Sequence, residues 1–357
     1  MAIVSKIEPV PLQVELVDPF VIASTRLDRV DNVAVKLVVR DGTTGWGEVA
    51  TLHPVTAETY DDALGAVRAA ADALCGTGVD RAEALAERLA DLGLHGASRC
   101  GIEQAWWDAV ARETGVPLFR RIAGEGGAPS AVTTDVTLPI CAPERARELA
   151  AGYRERGFET LKVKVGGELA ADLERVLAVL SAHPMAALVL DANEGWSVEQ
   201  TLEAVRALRE RGARIAMLEQ PVPRADLEGL ARLTREAGTL VAADEACRTL
   251  DDVRRIARHR QASAVNVKLA KCGVLEGLQM LREARRHGLA TMIGAMVETR
   301  LGTGFSAHVA AALGGFAVVD LDTSLLLQRD PITGGPALDG PRWRIDPTVT
   351  GHGGGVG

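Results

Sequence analysis

Residues 187–193, "ALVLDAN", make an apolar, strand-like run that ends on a carboxylate and an amide, Asp191 and Asn193. Seven further runs share its form: "AVTTDVTL" from 131, "TLKVKV" from 160, "IAMLEQP" from 215, "LVAADE" from 240, "AVNVKLA" from 264, "ATMIGAM" from 290 and "VVDLDT" from 318. Their starts lie 24–29 residues apart, room for one strand and one crossover helix. The segments between them, such as "PERARELAAGYRERG", carry apolar residues at helical spacing, and Gly157, Gly212, Gly238 and Gly288 stand where helices would stop. Alternation alone fits either a doubly wound open sheet or a (β/α) barrel. The strand ends decide, because a barrel gathers its reactive side chains at the C-terminal ends of its strands. Seven of the runs end or are followed that way: Lys162 and Lys164, Asp191 and Asn193, Glu219, Asp244 and Glu245, Lys268, Glu298, and finally Asp320 and Asp322. The expected fold is an α/β, TIM-like barrel.

Residues 1–125 read as a separate α+β domain, with strands flanking an Asp41-Gly42 turn in "VAVKLVVRDGTTGWGEVA" and helical stretches after it. "GEGGAPSA", residues 124–131, is the expected linker, residues 126–323 the barrel, and the Gly- and Pro-rich tail 324–357 an irregular segment packing back on the first domain. A net charge of −8, with 47% hydrophobic and 25% charged residues in 357, argues against nucleic acid or an anionic membrane surface as partner and favours a small molecule. The five cysteines form no zinc-like spacing, and their odd number fits reduced, structural thiols in a cytoplasmic protein. The opening "MAIVSKIEPVPLQVEL" alternates like a strand and lacks the features of a signal peptide, and no stretch is long and apolar enough to span a membrane. Trp46, Trp106 and Trp107 are expected to fill core, and His53 to be a solvated loop residue unless it touches substrate.

Asp191, Glu219 and Asp244 come from three consecutive strands, so they converge on one side of the barrel mouth, where three like charges call for a cation. Each alone could be a helix cap. Together they offer hard oxygen donors with no His or Cys, the set that suits Mg2+, one ion per site. Lys162 and Lys164 share the inner face of their strand, and Lys268 enters from the far side four strands on. Two readings follow: ion pairs with the carboxylates, or two lysines that remove and return a proton on opposite faces of a substrate. The period-two pair Asp320 and Asp322 suits a cation, with a second metal or a pair of caps as the plainer alternatives.

With "LKVKVG", "LDANEGW", "LEQP", "ADEA", "NVKLAKCGV" and "GAMVETRLG" in order across nearly its whole length, the chain resembles the enolase superfamily in its muconate-lactonizing subgroup. The resemblance implies an N-terminal capping domain over a (β/α)7β barrel. It makes Asp191, Glu219 and Asp244 the Mg2+ ligands and Lys164 and Lys268 the acid/base pair, with Lys162 beside the substrate carboxylate. Pairing a base with Mg2+ to stabilise an enediolate is a known property of that superfamily. Asp-x-Asp at the eighth strand is similar to the dipeptide epimerases, where the pair holds the substrate's free ammonium, and this implies a two-lysine 1,1-proton transfer on the C-terminal residue of a dipeptide. Thr134, Met296 and the segment through Glu298 match positions lining the dipeptide site in that family. In the alanyl-glutamate epimerases a side-chain-binding arginine falls at Thr25, whereas this chain carries Arg26 one residue later. Loops around 18–31 and 50–57 are expected to set side-chain choice. The rival expectations are an N-acylamino acid racemase, a muconate-type cycloisomerase, or a non-catalytic peptide-binding barrel. A homo-oligomer is compatible with the sequence, which does not specify an assembly.

Overall fold

The computed structural model describes residues 2–22, 25–53, 55–124 and 131–357. Its centre is an eight-stranded, all-parallel sheet in sequence order: β6 (Val136–Leu138), β7 (Thr160–Lys164), β8 (Ala187–Asp191), β9 (Arg214–Glu219), β10 (Leu240–Ala243), β11 (Ala264–Lys268), β12 (Ala290–Gly294) and β13 (Val318–Asp320). The edges meet where the Asp135 N–H donates to the Val319 carbonyl (2.8 Å) and the Leu321 N–H to the Thr134 hydroxyl (2.8 Å). Seven strand-to-strand crossovers carry α5 (Pro143–Glu155), α6 (Leu169–Ala182), α7 (Val198–Arg209), α8 (Leu227–Glu236), α9 (Leu250–His259), the short α10 (Leu269–Cys272) with α11 (Val274–Arg286), and α12 (Arg300–Leu313). This is the (β/α)7β arrangement. The expected helix stops hold: Gly157, Gly212, Gly238 and Gly288 all have φ between 64° and 84°, the left-handed region a Cβ disfavours. Reciprocal caps start α7 (Ser197 with Gln200) and α9 (Thr249 with Asp252).

Side-chain alternation places the chemistry. Val189, Met217, Ala242, Ala264, Met292 and Val318 form one apolar cluster inside the barrel. Two residues further along the same inner face come Asp191, Glu219, Asp244, Asn266, Gly294 and Asp320. The polar mouth is thus the next layer above an apolar plug.

The N-terminal sheet has strand order β3-β2-β1-β4, from β1 (Ala2–Ile22), β2 (Thr25–Val39), β3 (Thr44–Val49) and β4 (Gly78–Val79). Beyond Ala2 and Ile3, which pair with β4, this side of β1 is bridged at Leu16 to Leu327, and the open edge elsewhere accommodates Pro9, Pro11 and Pro19. The Asp41-Gly42 turn forms as expected, with Gly42 at φ 90°. Residues 18–22 and 25–31, expected to be loop, are instead the tip of a long hairpin, because β1 and β2 stay paired out to Ile22 and Thr25. Ala23, Ser24 and Pro54 lie outside the described residues, as do residues 125–130, which include most of the expected linker and the boundary drawn at 125/126.

Helices α1 (Tyr60–Leu74), α2 (Ala82–Asp91), α3 (Gly96–Glu113) and α4 (Leu118–Ala123) complete this domain. Two of its carboxylates dock it on the barrel. Glu48 of β3 accepts from the Thr299 and Gly302 N–H groups at the start of α12 (3.0 and 2.9 Å), and Glu103 of α3 accepts from Val274 and Leu275 at the start of α11 (2.5 and 3.0 Å). Each satisfies amide donors that a helix start leaves free and lies at the positive end of the helix dipole. Burial raises the Glu103 carboxyl pKa, against the Arg99 guanidinium 2.8 Å away. We expect Glu103→Gln to cost about 2 kcal/mol, the scale of hydrogen bonds to a charged acceptor, read as a lower urea midpoint.

The tail is more regular than expected. After a 3-10 turn (Thr323–Leu326), β14 (Ile332–Gly334) pairs with β17 (Gly354–Val356), while β15 (Ala337–Asp339) and β16 (Arg342–Arg344) join β5 (Val132–Thr133) at the barrel entry. It packs on the first domain through Asp108, which accepts from the His352 and Trp46 N–H groups. His352 packs on His308, which stacks on Phe119. Burial lowers the His308 pKa to about 4, below the roughly 6.5 of an unfolded chain. The unfolded state therefore takes the proton first, so this term is fully present above pH ~6.5 and shrinks as pH falls towards 4, by up to about 3 kcal/mol. His308→Asn should flatten that part of the stability profile, measured by urea unfolding at pH 7 and pH 5.

Candidate active site

Lys162, at the centre of the mouth, is 1% exposed. Its Nζ lies 2.7 Å from Asp320 Oδ2, 2.8 Å from Glu219 Oε2 and 3.0 Å from Asp191 Oδ2. Lys164 reaches Asp191 Oδ2 (2.6 Å) and Asn193 Oδ1 (3.2 Å), and Lys268 reaches Asp244 Oδ2 (2.9 Å). Gly294, level with Lys268 on β12, leaves room for that side chain: a Cβ there would stand 2.8 Å from Asn266 Oδ1 and 3.1 Å from Lys268 Cε. β7 and β11 are four strands apart in a barrel of eight, so Lys164 and Lys268 face each other across one cavity. Phe20, Ile22, Leu52 and Val55 of the N-terminal domain roof that cavity, and Ala295, Met296 and Val297 line its barrel side.

The charge balance is uneven. Asp135, Asp191, Glu219, Asp244, Glu245, Asp320 and Asp322 are seven carboxylates, set against four lysines: 162, 164, 268 and 271. Burial would raise Asp191, but Lys162 and Lys164 outweigh it and hold it at about 2. Glu219, sharing Lys162 with two other carboxylates, is raised to about 7 by burial and by Asp191, and Glu245 to about 8 by burial and Asp244. Glu219 Oε2 is buried with only the Lys162 ammonium beside it and no hydrogen bond, and Glu245 Oε2 is buried without a hydrogen-bond partner among the described residues. Buried carboxylate oxygens short of donors, beside excess negative charge, are what a hard cation would relieve, so the donor set fits a divalent metal. Non-glycine residues with positive φ cluster just past these strands: Asn193 (42°), Glu194 (72°) and Gln220 (34°). Strained backbone there is held by hydrogen bonds such as Gln220 Oε1 accepting from the Asp244 and Ala246 N–H groups (both 3.0 Å).

The family description "Mandelate racemase / muconate lactonizing enzyme, N-terminal domain" matches residues 6–122, and "Enolase C-terminal domain-like" matches residues 144–356. The chain belongs to the mandelate racemase/muconate lactonizing enzyme family of the enolase superfamily. Among similar members, an L-Ala-D/L-amino acid epimerase of Populus trichocarpa is 44% identical over 98% of this chain and 84% of its own. An aromatic dipeptide epimerase of Herpetosiphon aurantiacus is 39% identical over 96% of both. The crystal structure of the dipeptide epimerase from Enterococcus faecalis V583, complexed with Mg and the dipeptide L-Leu-L-Tyr, superposes with a TM-score of 0.93 at 30% identity, covering 98% of this chain and 99% of that one.

Within this family fold, Asp191, Glu219, Asp244, Lys162, Lys164, Lys268 and Asp320 come together at one mouth, and Met296 lines its cavity. Each lysine stands on a carboxylate, as the ion-pair reading expects, and each also lines the cavity, where the proton-transfer reading needs it. Asp322 lies just past the end of β13, its Oδ2 accepting from the Thr137 N–H (2.6 Å). Asp322 and three other expected substrate-binding residues do not line this cavity. Thr134 is turned into the barrel seam, donating to the Val319 carbonyl (3.2 Å), and Thr137, three residues further on, lines the cavity instead. Arg26 pairs with Asp28 in solvent, its side chain 61% exposed. Glu298 folds back on the Met296 N–H (2.9 Å) beneath the cavity wall, where burial and Glu48 raise it to about 8. His53 is exposed, as its plainer reading had it, and Trp106 is core.

Lys271 went unnoticed in the sequence. It donates to Asp244 Oδ1 (2.6 Å) and to three carbonyls, holding that carboxylate from behind while Lys268 takes the other oxygen. Its signal is the i+3 spacing from Lys268 across the single turn of α10.

Proposed function

We propose that the chain is a Mg2+-dependent dipeptide epimerase, inverting the α-carbon of the dipeptide's C-terminal residue by 1,1-proton transfer between two lysines. The observation that carries this is the placement of Lys164 and Lys268 on opposite strands around one cavity, with Asp320 on a third side and Asp322 buried just behind it. The epimerase names of the relatives point the same way. Asp191, Glu219 and Asp244 would hold Mg2+, which when bound supplies positive charge opposite the substrate carboxylate. Lys162 adds a second positive charge on that side. One lysine takes the α-proton on its Nζ, and the other returns a proton to the opposite face, so the centre inverts. Asp320 and Asp322 hold the free ammonium, which fixes the dipeptide end to end between the lysines. The apolar roof of Phe20, Ile22, Leu52 and Val55 excludes water and suits apolar side chains. The five free cysteines fit a cytoplasmic setting, and among the described residues no helix is long and apolar enough to cross a membrane.

The direct test is incubation with dipeptide libraries and Mg2+ in D2O, followed by mass spectrometry and chiral separation. Deuterium at one α-carbon, with the epimer appearing, is expected. No label in any dipeptide would refute the assignment.

A further inference from the structure

Asp135 is unused by the chemistry above and sits at an unusual place. It is 2% exposed, and neither of its carboxylate oxygens has a hydrogen-bond partner among the described residues. It lies two residues before Thr137 on the inner face of the β6 run, one layer below the cavity floor. One carboxylate oxygen from each of Asp135, Asp320 and Asp322 lies within 4.8 Å of the other two. Asp322 commits Oδ2 to the Thr137 N–H and leaves Oδ1 unpartnered, while Asp320 commits Oδ2 to Lys162. Each residue therefore keeps an oxygen to offer.

Three acceptors no more than 4.8 Å apart are close enough to serve one particular donor. A primary ammonium has three N–H groups at tetrahedral angles, and acceptors about 2.8 Å from its nitrogen stand about 4.6 Å from one another. We infer that Asp135 is the third carboxylate of the ammonium site, so that the site recognises a primary amine by all three of its N–H groups and not only by its charge. The inference rests on the epimerase reading, which requires a substrate with a free amine but assigns only Asp320 and Asp322 to it. It adds a discrimination: an N-methylated N-terminus, still cationic but with two N–H groups, leaves one buried carboxylate without a donor. Such an unmade bond at a buried charged acceptor costs about 10- to 100-fold in binding.

The test compares a dipeptide that the Mg2+-loaded enzyme turns over with the same dipeptide N-methylated at its amino terminus, in the wild type and in Asp135→Asn. The wild type should show a KM about 10- to 100-fold higher for the N-methyl substrate. Asp135→Asn should raise KM for the primary amine by a similar factor and erase most of the difference between the two. The wild-type comparison stands even if the variant folds poorly. Equal KM values for the two substrates in the wild type, or an N-methyl penalty unchanged in Asp135→Asn, would overturn the inference while leaving the epimerase assignment intact. Uptake of a second equivalent of Mg2+ without dipeptide, lost in Asp135→Asn, would also overturn it, by making the triad a metal site. Absence of turnover for every dipeptide would instead remove the reading on which it stands.

Discussion

Alanine at Lys268 or at Lys164 should each lower dipeptide epimerisation by about 10^3-fold or more, at the upper end of what a general acid/base contributes. The more telling result is in the partial reactions. A protein with one lysine left can still remove the α-proton from the epimer whose C–H bond faces that lysine, and in D2O it can return deuterium only from the same side. Each variant should therefore wash deuterium into one epimer without inverting it, and the two variants should choose opposite epimers. NMR of the recovered dipeptides measures this directly. If both variants label the same epimer, the lysines do not act from opposite faces, and the positions of β7 and β11 across the barrel would have misled.

Chelation of Mg2+ is the second large effect. The mouth and the layer beneath it hold seven carboxylates against four lysines; Glu219 Oε2 has only the Lys162 ammonium beside it, and Glu245 Oε2 is buried without a hydrogen-bond partner among the described residues. Treatment with EDTA should reduce turnover by about 10^3-fold or more, since the substrate carboxylate loses its main positive counterpart. Stability provides an independent readout. Ligand at 100 times its Kd adds about 2.7 kcal/mol to the folded state, which for a chain of this size corresponds to roughly 3–5 °C in Tm. Glu219→Gln should abolish the Mg2+-dependent rise in Tm. A rise that persists at full size in Glu219→Gln would place the ion elsewhere.

The barrel and the centre of its mouth were legible because they follow a period-two rule that a sequence displays directly. An apolar inner residue such as Val189 or Met217 is followed two positions later by Asp191 or Glu219, and strand ends can be counted. Features that depend on how segments meet were not legible. Thr134 and Thr137 stand three apart in "TTDVTL", and which of them faces the cavity depends on where the closing seam with Val319 and Leu321 falls. Lys271 matters only because α10 makes one turn and brings it behind Asp244. Arg26 falls at the tip of a hairpin whose length depends on pairing between β1 and β2, and there it turns to Asp28. The short strands of the tail form only against partners distant in sequence, as β16 does against β5.

Glu48 and Glu103 plug the amino ends of α12 and α11 from the N-terminal domain. Roof and floor of the cavity are thereby fastened to each other at two points remote from the chemistry. The apolar side chains at Phe20, Ile22, Leu52 and Val55 can then vary while the lysines below keep their places. On the proposed function, this divides the molecule for engineering into a part expected to choose and a part expected to react. A domain grafted from a relative should carry its own equivalents of these two glutamates, or the graft will lose its alignment before its choice of side chain can be read.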